Sequence, residues 1–509
     1  MTSATFQGID PITGEPFGDS ISEMDKAQIE TLISKAANQK TKLANTSPQE
    51  RAALLRAIAS AVESRREKLI EVTMKETALP NARLSGELSR TVFQLEQFAK
   101  MVESGAHLQA IIDLPDSNWV PAARPDIRKV NQPLGLVAVF AASNFPFAFS
   151  VIGGDSASAI AAGCPIIVKA HPSHPNTCRI MHEAVTEGFT KVGLSQDCFV
   201  MAEGTNPEIT HWLAAHPSVT AIGFTGSGMV GKLLLDISHK RPVPIPVYAE
   251  MGSLNPVFFT PGALKNGAEA LAKAALDSAT LGSGQFCTKP GIMVIPTGSE
   301  GDEFLKQVEG YLATLQVAPL LNKGIAERYS TAIAKLAIDS KLKVFKGKAT
   351  SNGFGVEPTV FVADWEIAQK NHELLEEHFG PTSVIIRADF KDFESVATQL
   401  EGQLCAALHT VAGEKVSSLL DILAEKAGRV IMNGFPTAVA VTAAMQHGGQ
   451  WPSSSTHTTS VGLDSIYRFL RPVAHQNFTD ELLPTALQNS NPWKITRSVN
   501  GKLTTESIG

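Results

Sequence analysis

Apolar positions recur at two different periods along the chain. In the first hundred residues the spacing is helical, with Leu55, Ile58, Val62 and Leu69 on one face. Ser47-Pro48-Gln49-Glu50 precedes them as an N-cap hydroxyl, a first-turn proline and a glutamate placed to close a capping box. A further amphipathic run covers 84–101 and stops at Gly105. From about residue 134 the pattern changes. LGLVAVF (134–140) has the length and apolarity of a buried strand, and a helix rich in Ala, Ser and Gly is expected over 146–162. PIIVK (165–169), a helix near 176–190, CFVMAEG (198–204), a short helix, VTAIGFT (219–225) and a helix from Gly228 follow. Strands alternating with helices of this length predict βαβ units and a parallel sheet with helices on both faces. Ligands of such sheets sit at the carboxyl ends of the strands. IPVYAEMGSLNPVFF (245–259) carries strand-type runs around a turn, and 261–281 is helical again. A second α/β region runs to about residue 440. The tail, 470–509, holds Pro472, Pro484 and Pro492 with few periodic apolar positions, and is expected to pack as an arm or strand.

Length and composition bound this picture. A chain of 509 residues exceeds the roughly 250–300 that one core can serve, so two or three domains are expected. Hydrophobic residues at 43% and charged residues at 18% fit a globular protein. A net charge of −6 with a pI near 6.1 offers no basic face for nucleic acid or a membrane surface. The uncharged stretch 130–154 has the length of a membrane span, but Ser143, Asn144, Pro146 and Gly153-Gly154 interrupt it; it reads as a strand, a loop and a helix start. The N-terminus has neither a basic segment nor an apolar run of the secretory type, and a cytoplasmic protein is expected.

Several residues can carry chemistry. Cys164, Cys178, Cys198, Cys287 and Cys405 form no CxxC pair and read as reduced thiols. Cys287 alone follows a glycine-rich turn, Gly282-Ser283-Gly284-Gln285-Phe286, which lets backbone approach a substrate. A thiol there is either a structural cysteine or a nucleophile. Asn144, between a strand and a helix start, is either an N-cap or an amide donor facing an anion. Glu250, ending the apolar run IPVYAE, is either a solvated strand-end carboxylate or a general base with a raised pKa. Gly226-Ser227-Gly228-Met229-Val230-Gly231 opens a helix after a strand but is neither GxGxxG nor a P-loop. His171, His174, His447 and His457 lack any HExxH or companion spacing, so no metal site is expected.

Taken together, SNFPFAFS (143–150), IVKAHPSHP (167–175), FTGSGMVG (224–231), AEMGSLNP (249–256), SGQFCTKPG (283–291) and EEHFGP (376–381) resemble the aldehyde dehydrogenase superfamily, in that family's order and over nearly the whole chain. The resemblance implies an α/β fold: a Rossmann-type parallel-sheet cofactor domain (1–117 and 134–250), an α/β catalytic domain (251–465) and a small β oligomerisation arm (118–133 and 466–509). It implies Cys287 as the nucleophile, Asn144 as an oxyanion donor and Glu250 as the base that activates water. It also implies that Lys169 binds the adenosine ribose, that Gly226, Ser227 and Gly231 form the pyrophosphate-side turn, and that Glu377 and Phe379 hold the nicotinamide ribose and ring. The implied reaction oxidises an aldehyde through a cysteine thioester, and the implied assembly is a homodimer or homotetramer.

Two departures narrow the resemblance. Three residues after Lys169, where many members carry a glutamate that favours NAD, stands Pro172; no neighbouring arginine or threonine offers itself to a 2′-phosphate, so the cofactor is NADP or NAD. The loop 444–462 lacks the usual Phe-Gly-Gly segment. Together with ETALPNARLSGELSRT (76–91), HPSHPNT and MQHGGQWPSSS, these features resemble α-ketoglutaric semialdehyde (2,5-dioxovalerate) dehydrogenases and NADP-linked fatty-aldehyde dehydrogenases of luminous bacteria. The first use a small acid substrate and the second a long alkyl chain. A catalytically silent nucleotide-binding protein of the same fold is the non-enzymatic alternative. Arg90, inside the first of these segments, is a candidate partner for a substrate carboxylate.

Overall fold

The strands Leu136–Phe140, Ile166–Lys169, Phe199–Ala202, Val219–Thr225 and Val247–Glu250 pair in parallel, in the spatial order third, second, first, fourth, fifth. The first three are short, apolar and almost wholly buried, as strands must be when helices cover both faces. Chain direction across the sheet reverses between the first and fourth strands. That switch point opens a crevice at their carboxyl ends, from which the loop bearing Asn144 and the turn at Gly226 emerge. The computed structural model describes residues 4–508.

Helices from the N-terminal third cover one face. Pro48–Glu63 starts on the capping box expected of it: Ser47 Oγ accepts from the Glu50 N–H at 3.2 Å, and Glu50 Oε2 accepts from the Ser47 N–H at 2.7 Å. Its Leu55, Ile58 and Val62 are fully buried in one core with Val137, Ile160, Met181 and Phe189. Each such side chain contributes roughly 1.5–3 kcal/mol of burial. Asn81–Glu103 packs across this helix and then reaches the crevice.

One expected element is shorter than the apolar pattern suggests. The helix foreseen over 146–162 begins only at Gly154. Residues 145–153 fold as turns, in which the backbone N–H groups of Phe147 and Ala148 both donate to the Glu87 carboxylate at 2.8 Å. A distant helix thus supplies the acceptor for two N–H groups inside these turns.

A second sheet runs in the order Lys343–Lys346, Thr359–Asp364, Thr382–Ala388, Ile292–Pro296, Val257–Phe259, Gln403–His409, Ala427–Met432. It is parallel apart from the edge pair Lys343–Lys346 and Thr359–Asp364. A third sheet joins Leu470–Gln476, Ile127–Pro133, Ile111–Asp113, Arg497–Val499 and Lys502–Thr504. Ile111–Asp113, placed by the sequence with the cofactor part, belongs to this third sheet. Conversely Leu463–Phe469 buries Ile466 and Phe469 in the core around the first sheet, so 466–469 are not part of an arm. Among the described residues no helix is long and apolar enough to cross a membrane.

Candidate active site

The loop before Ile292–Pro296 carries Cys287 to the mouth of the first sheet. It turns sharply: Gly282, Ser283 and Gly284 all have positive φ, at 57°, 57° and 69°. At Gly284 a side chain is excluded twice, by that left-handed backbone and by the Gly380 carbonyl, which occupies the place of a Cβ. Asn255, fully buried, holds the far side of the loop through Nδ2, which donates to the Cys287 carbonyl at 2.8 Å and the Lys289 carbonyl at 2.9 Å. Gln403 fixes Asn255 in turn, its Oε1 accepting from the Leu254 and Asn255 N–H groups at 2.8 and 3.0 Å.

Asn144 comes to this loop from across the crevice. Its Nδ2 donates to the Gln285 carbonyl at 2.9 Å, which leaves the second amide hydrogen for another acceptor. Phe145 meets Phe286 edge to face at 5.1 Å, so the two loops are also joined by an aromatic contact. The Arg83 guanidinium lies 4.4 Å over the Phe145 ring and 5.1 Å over Phe286. Arg83 also pairs with Glu87 and donates to the Asn144 carbonyl at 3.3 Å.

Glu250 ends its strand inside the protein, 6% exposed. Burial pushes its carboxyl up to about 8; Arg468 opposes this and Asp155 adds to it. Those two groups form a buried pair of their own at 2.7 Å behind the carboxylate. The divergent loop 444–462 lies along the end of this strand, with the Met251 N–H donating to the Ser453 carbonyl at 2.8 Å and Ser454 bridging to Glu250. It thereby inserts His447 between the two reactive groups. His447 Nε2 is 3.7 Å from Cys287 Sγ and 3.3 Å from Glu250 Oε2. Burial, with Arg429 and Arg90 nearby, drives this imidazole down to about 3, so it is neutral at ordinary pH. Burial also pushes the Cys287 thiol well above its usual range, and the charge of Glu250 adds to that. The resting site therefore holds a neutral thiol with a neutral imidazole in reach, beside a carboxyl that ionises near 8.

Lys169 closes its strand with Nζ donating to the Ala170 and Gly204 carbonyls at 2.8 and 2.7 Å. Gly226 and Ser227 are exposed at the start of Gly228–His239, a helix of 12 residues whose N-cap, Ser227, makes no side-chain capping bond. Backbone donors and an uncommitted hydroxyl at such a helix start suit a phosphate. Gly231 is buried where a Cβ would strike Met251. The Glu377 carboxylate lies against Gly252, its acidity weakened by burial and strengthened by Lys289, whose Nζ donates to the His378, Gly380 and Thr382 carbonyls. Phe379 packs on the core around the first sheet. These donors and acceptors fit a dinucleotide lying across the carboxyl ends of the strands.

The model of the aldehyde dehydrogenase family matches residues 1–472. The chain belongs to the aldehyde dehydrogenase family. Aldehyde dehydrogenases are NAD(P)-dependent oxidoreductases, and the enzyme is one of them. It is 41% identical over 507 residues to α-ketoglutaric semialdehyde dehydrogenase 2 of Azospirillum brasilense, covering 98% of this chain and 97% of that one. It is 38% identical over 510 residues to α-ketoglutaric semialdehyde dehydrogenase of Acinetobacter baylyi, covering 98% and 96%. Among solved structures, a glyceraldehyde-3-phosphate dehydrogenase of Methanocaldococcus jannaschii complexed with NADP superposes with a TM-score of 0.79 at 20% identity, over 93% of this chain and 99% of that one. That likeness shows the shared fold. His447 is the site residue that sequence reasoning considered only as a metal ligand. Its signal was the family departure in the loop that carries it.

Proposed function

We propose that this aldehyde dehydrogenase oxidises 2,5-dioxopentanoate to 2-oxoglutarate through a thioester on Cys287. The observation that carries the reading is that Cys287 Sγ and Glu250 Oε2 both meet His447 Nε2, at 3.7 and 3.3 Å, at the loop that resembles the semialdehyde dehydrogenases. The two curated relatives named above bear that substrate in their names and match end to end.

Each chain residue has a physical task. His447 Nε2, in reach of the sulfur, relays the Cys287 thiol proton toward solvent as sulfur attacks the aldehyde carbon, and an imidazole held down to about 3 does not keep it. Asn144 donates its free amide hydrogen to the developing oxyanion, a type of contact worth roughly 3–4 kcal/mol in the transition state. NAD or NADP, when bound, supplies the hydride acceptor. Lys169, Gly226, Ser227, Gly231, Glu377 and Phe379 hold it there. Glu250, ionised above about 8, then draws a proton from water and the acid leaves.

The sheet containing Ile127–Pro133 and Leu470–Gln476 offers an edge strand to a second copy, so a homodimer or homotetramer is part of the proposal. Steady-state rates with 2,5-dioxopentanoate and with a long-chain alkyl aldehyde, each with NAD and NADP, test the reading. A higher kcat/KM for the dioxo acid supports it, and a higher one for the alkyl aldehyde overturns it.

A further inference from the structure

Buried arginines in this protein are provided with acceptors. Arg51 donates to the carbonyls of Leu43, Ala44, Thr46 and Ala162, and Arg468 pairs with Asp155. Arg128 binds Asp126 and the Leu487 carbonyl. Arg90 differs. Its Nη1 is sealed from water and no nitrogen of its guanidinium has a hydrogen-bond partner among the described residues, whereas Arg83, Arg387 and Arg497, each with an unpartnered Nε, bond through another nitrogen. Glu87, one turn earlier on the same helix, has its oxygens taken by Arg83 and by the Phe147 and Ala148 N–H groups. A sealed guanidinium nitrogen without an acceptor costs about 1–3 kcal/mol, more when charged, so the site calls for a ligand.

Its position says where that ligand lies. The Arg90 guanidinium carbon is 5.2 Å from the centre of the Phe149 ring. Phe149 in turn is 6.2 Å, ring to ring, from His447, whose Nε2 is 3.7 Å from Cys287 Sγ. One aromatic ring and one imidazole thus separate the unpartnered cation from the nucleophile. Arg83, the neighbouring cation, is already neutralised by Glu87 and covered by Phe145 and Phe286.

We propose that Arg90 receives the distal carboxylate of an ω-carboxylated aldehyde while Cys287 holds the other end, which makes it the residue that selects acid substrates over neutral ones. The inference rests on the semialdehyde reading and adds the group that enforces it. A planar guanidinium binds a carboxylate by two parallel N–H bonds, and no lysine reproduces that geometry.

The test compares wild type, Arg90→Lys and Arg90→Met on 2,5-dioxopentanoate and on pentanal, a neutral aldehyde with the same number of carbons. In wild type the acid is preferred. In Arg90→Met the ratio of kcat/KM values, acid over neutral, falls about 100-fold, mainly through the KM of the acid, and Arg90→Lys lies between. A second readout needs no turnover: the rates at which iodoacetate and iodoacetamide alkylate Cys287. Their ratio falls in Arg90→Met if the guanidinium draws anions toward the sulfur. A wild type without preference for the acid overturns both the substrate reading and this inference. A preference that survives intact in Arg90→Met overturns this inference alone. Equal loss on both aldehydes, with an unchanged alkylation ratio, assigns Arg90 a merely structural role and overturns it too.

Discussion

The Nε2 nitrogen of His447 lies 3.3 Å from a carboxylate oxygen of Glu250, and that same nitrogen faces the sulfur of Cys287. Its other ring nitrogen, Nδ1, is buried without a hydrogen-bond partner among the described residues. A neutral imidazole so placed can meet the thiol proton only at Nε2, with its own N–H then on Nδ1.

Replacing His447 by Gln keeps the bulk and removes the proton relay. The expected result is a fall of about 100-fold in the rate of Cys287 alkylation by iodoacetamide near neutral pH, with a comparable fall in kcat/KM. Alkylation at the wild-type rate would show that the thiol is activated elsewhere.

Glu250 acts as a base only when ionised, and its carboxyl is raised to about 8. Turnover limited by thioester hydrolysis should rise with pH and level off above about 8. In Glu250→Gln a first burst of NAD(P)H is expected, followed by slow release. The raised carboxyl also affects stability. Because the folded protein holds this proton to higher pH than the unfolded chain, stability is lost as pH rises from the ordinary carboxylate range through about 8. Glu250→Gln lacks that loss, so its Tm should gain on wild type as pH rises. The gain amounts to about 1.4 kcal/mol of stability for every tenfold difference in proton affinity between the folded and unfolded chain. Parallel Tm curves across that window would contradict the assignment.

Glu87 positions Asn144 without touching substrate. It is 3% exposed and caps the two N–H groups that follow the Asn144 turn, with Arg83 on its other oxygen. Glu87→Ala leaves a buried cation and two donors unpaired and should cost about 3–5 kcal/mol, read as a lower Tm. Glu87→Gln keeps one acceptor and should recover part of both Tm and kcat. Equal damage from the two variants would argue against the capping role.

Gly284→Ala places a methyl group on the Gly380 carbonyl and forces a φ of 69° on a residue that resists it. Displacement of the Cys287 loop should reduce kcat by at least about 100-fold even where the protein folds. A variant with wild-type kcat would show that the turn tolerates a side chain.

Much of this site was legible in the amino-acid sequence. Strand-length apolar runs such as LGLVAVF and PIIVK became neighbours in the parallel sheet, and the motif residues Asn144, Glu250 and Cys287 converge from different segments on one crevice. What the sequence could not show was long-range pairing. The turn at 145–153 looked helical because its apolar spacing is local, whereas the carboxylate that holds it, Glu87, lies some 60 residues earlier. His447 had no visible partner, since its two neighbours are 160 residues and nearly 200 residues away in sequence. The arm strands likewise come from both ends of the chain, and Ile111–Asp113 is too short to announce itself.

The covalent step is tested most directly by mixing Glu250→Gln enzyme, NAD(P) and 2,5-dioxopentanoate, quenching in acid, and mapping the adduct by mass spectrometry. The account predicts a 2-oxoglutaryl group on Cys287, absent from the same protein carrying Cys287→Ala, which also forms no NAD(P)H. Undiminished NAD(P)H formation by the Cys287→Ala protein, or the acyl group on another residue, would contradict it.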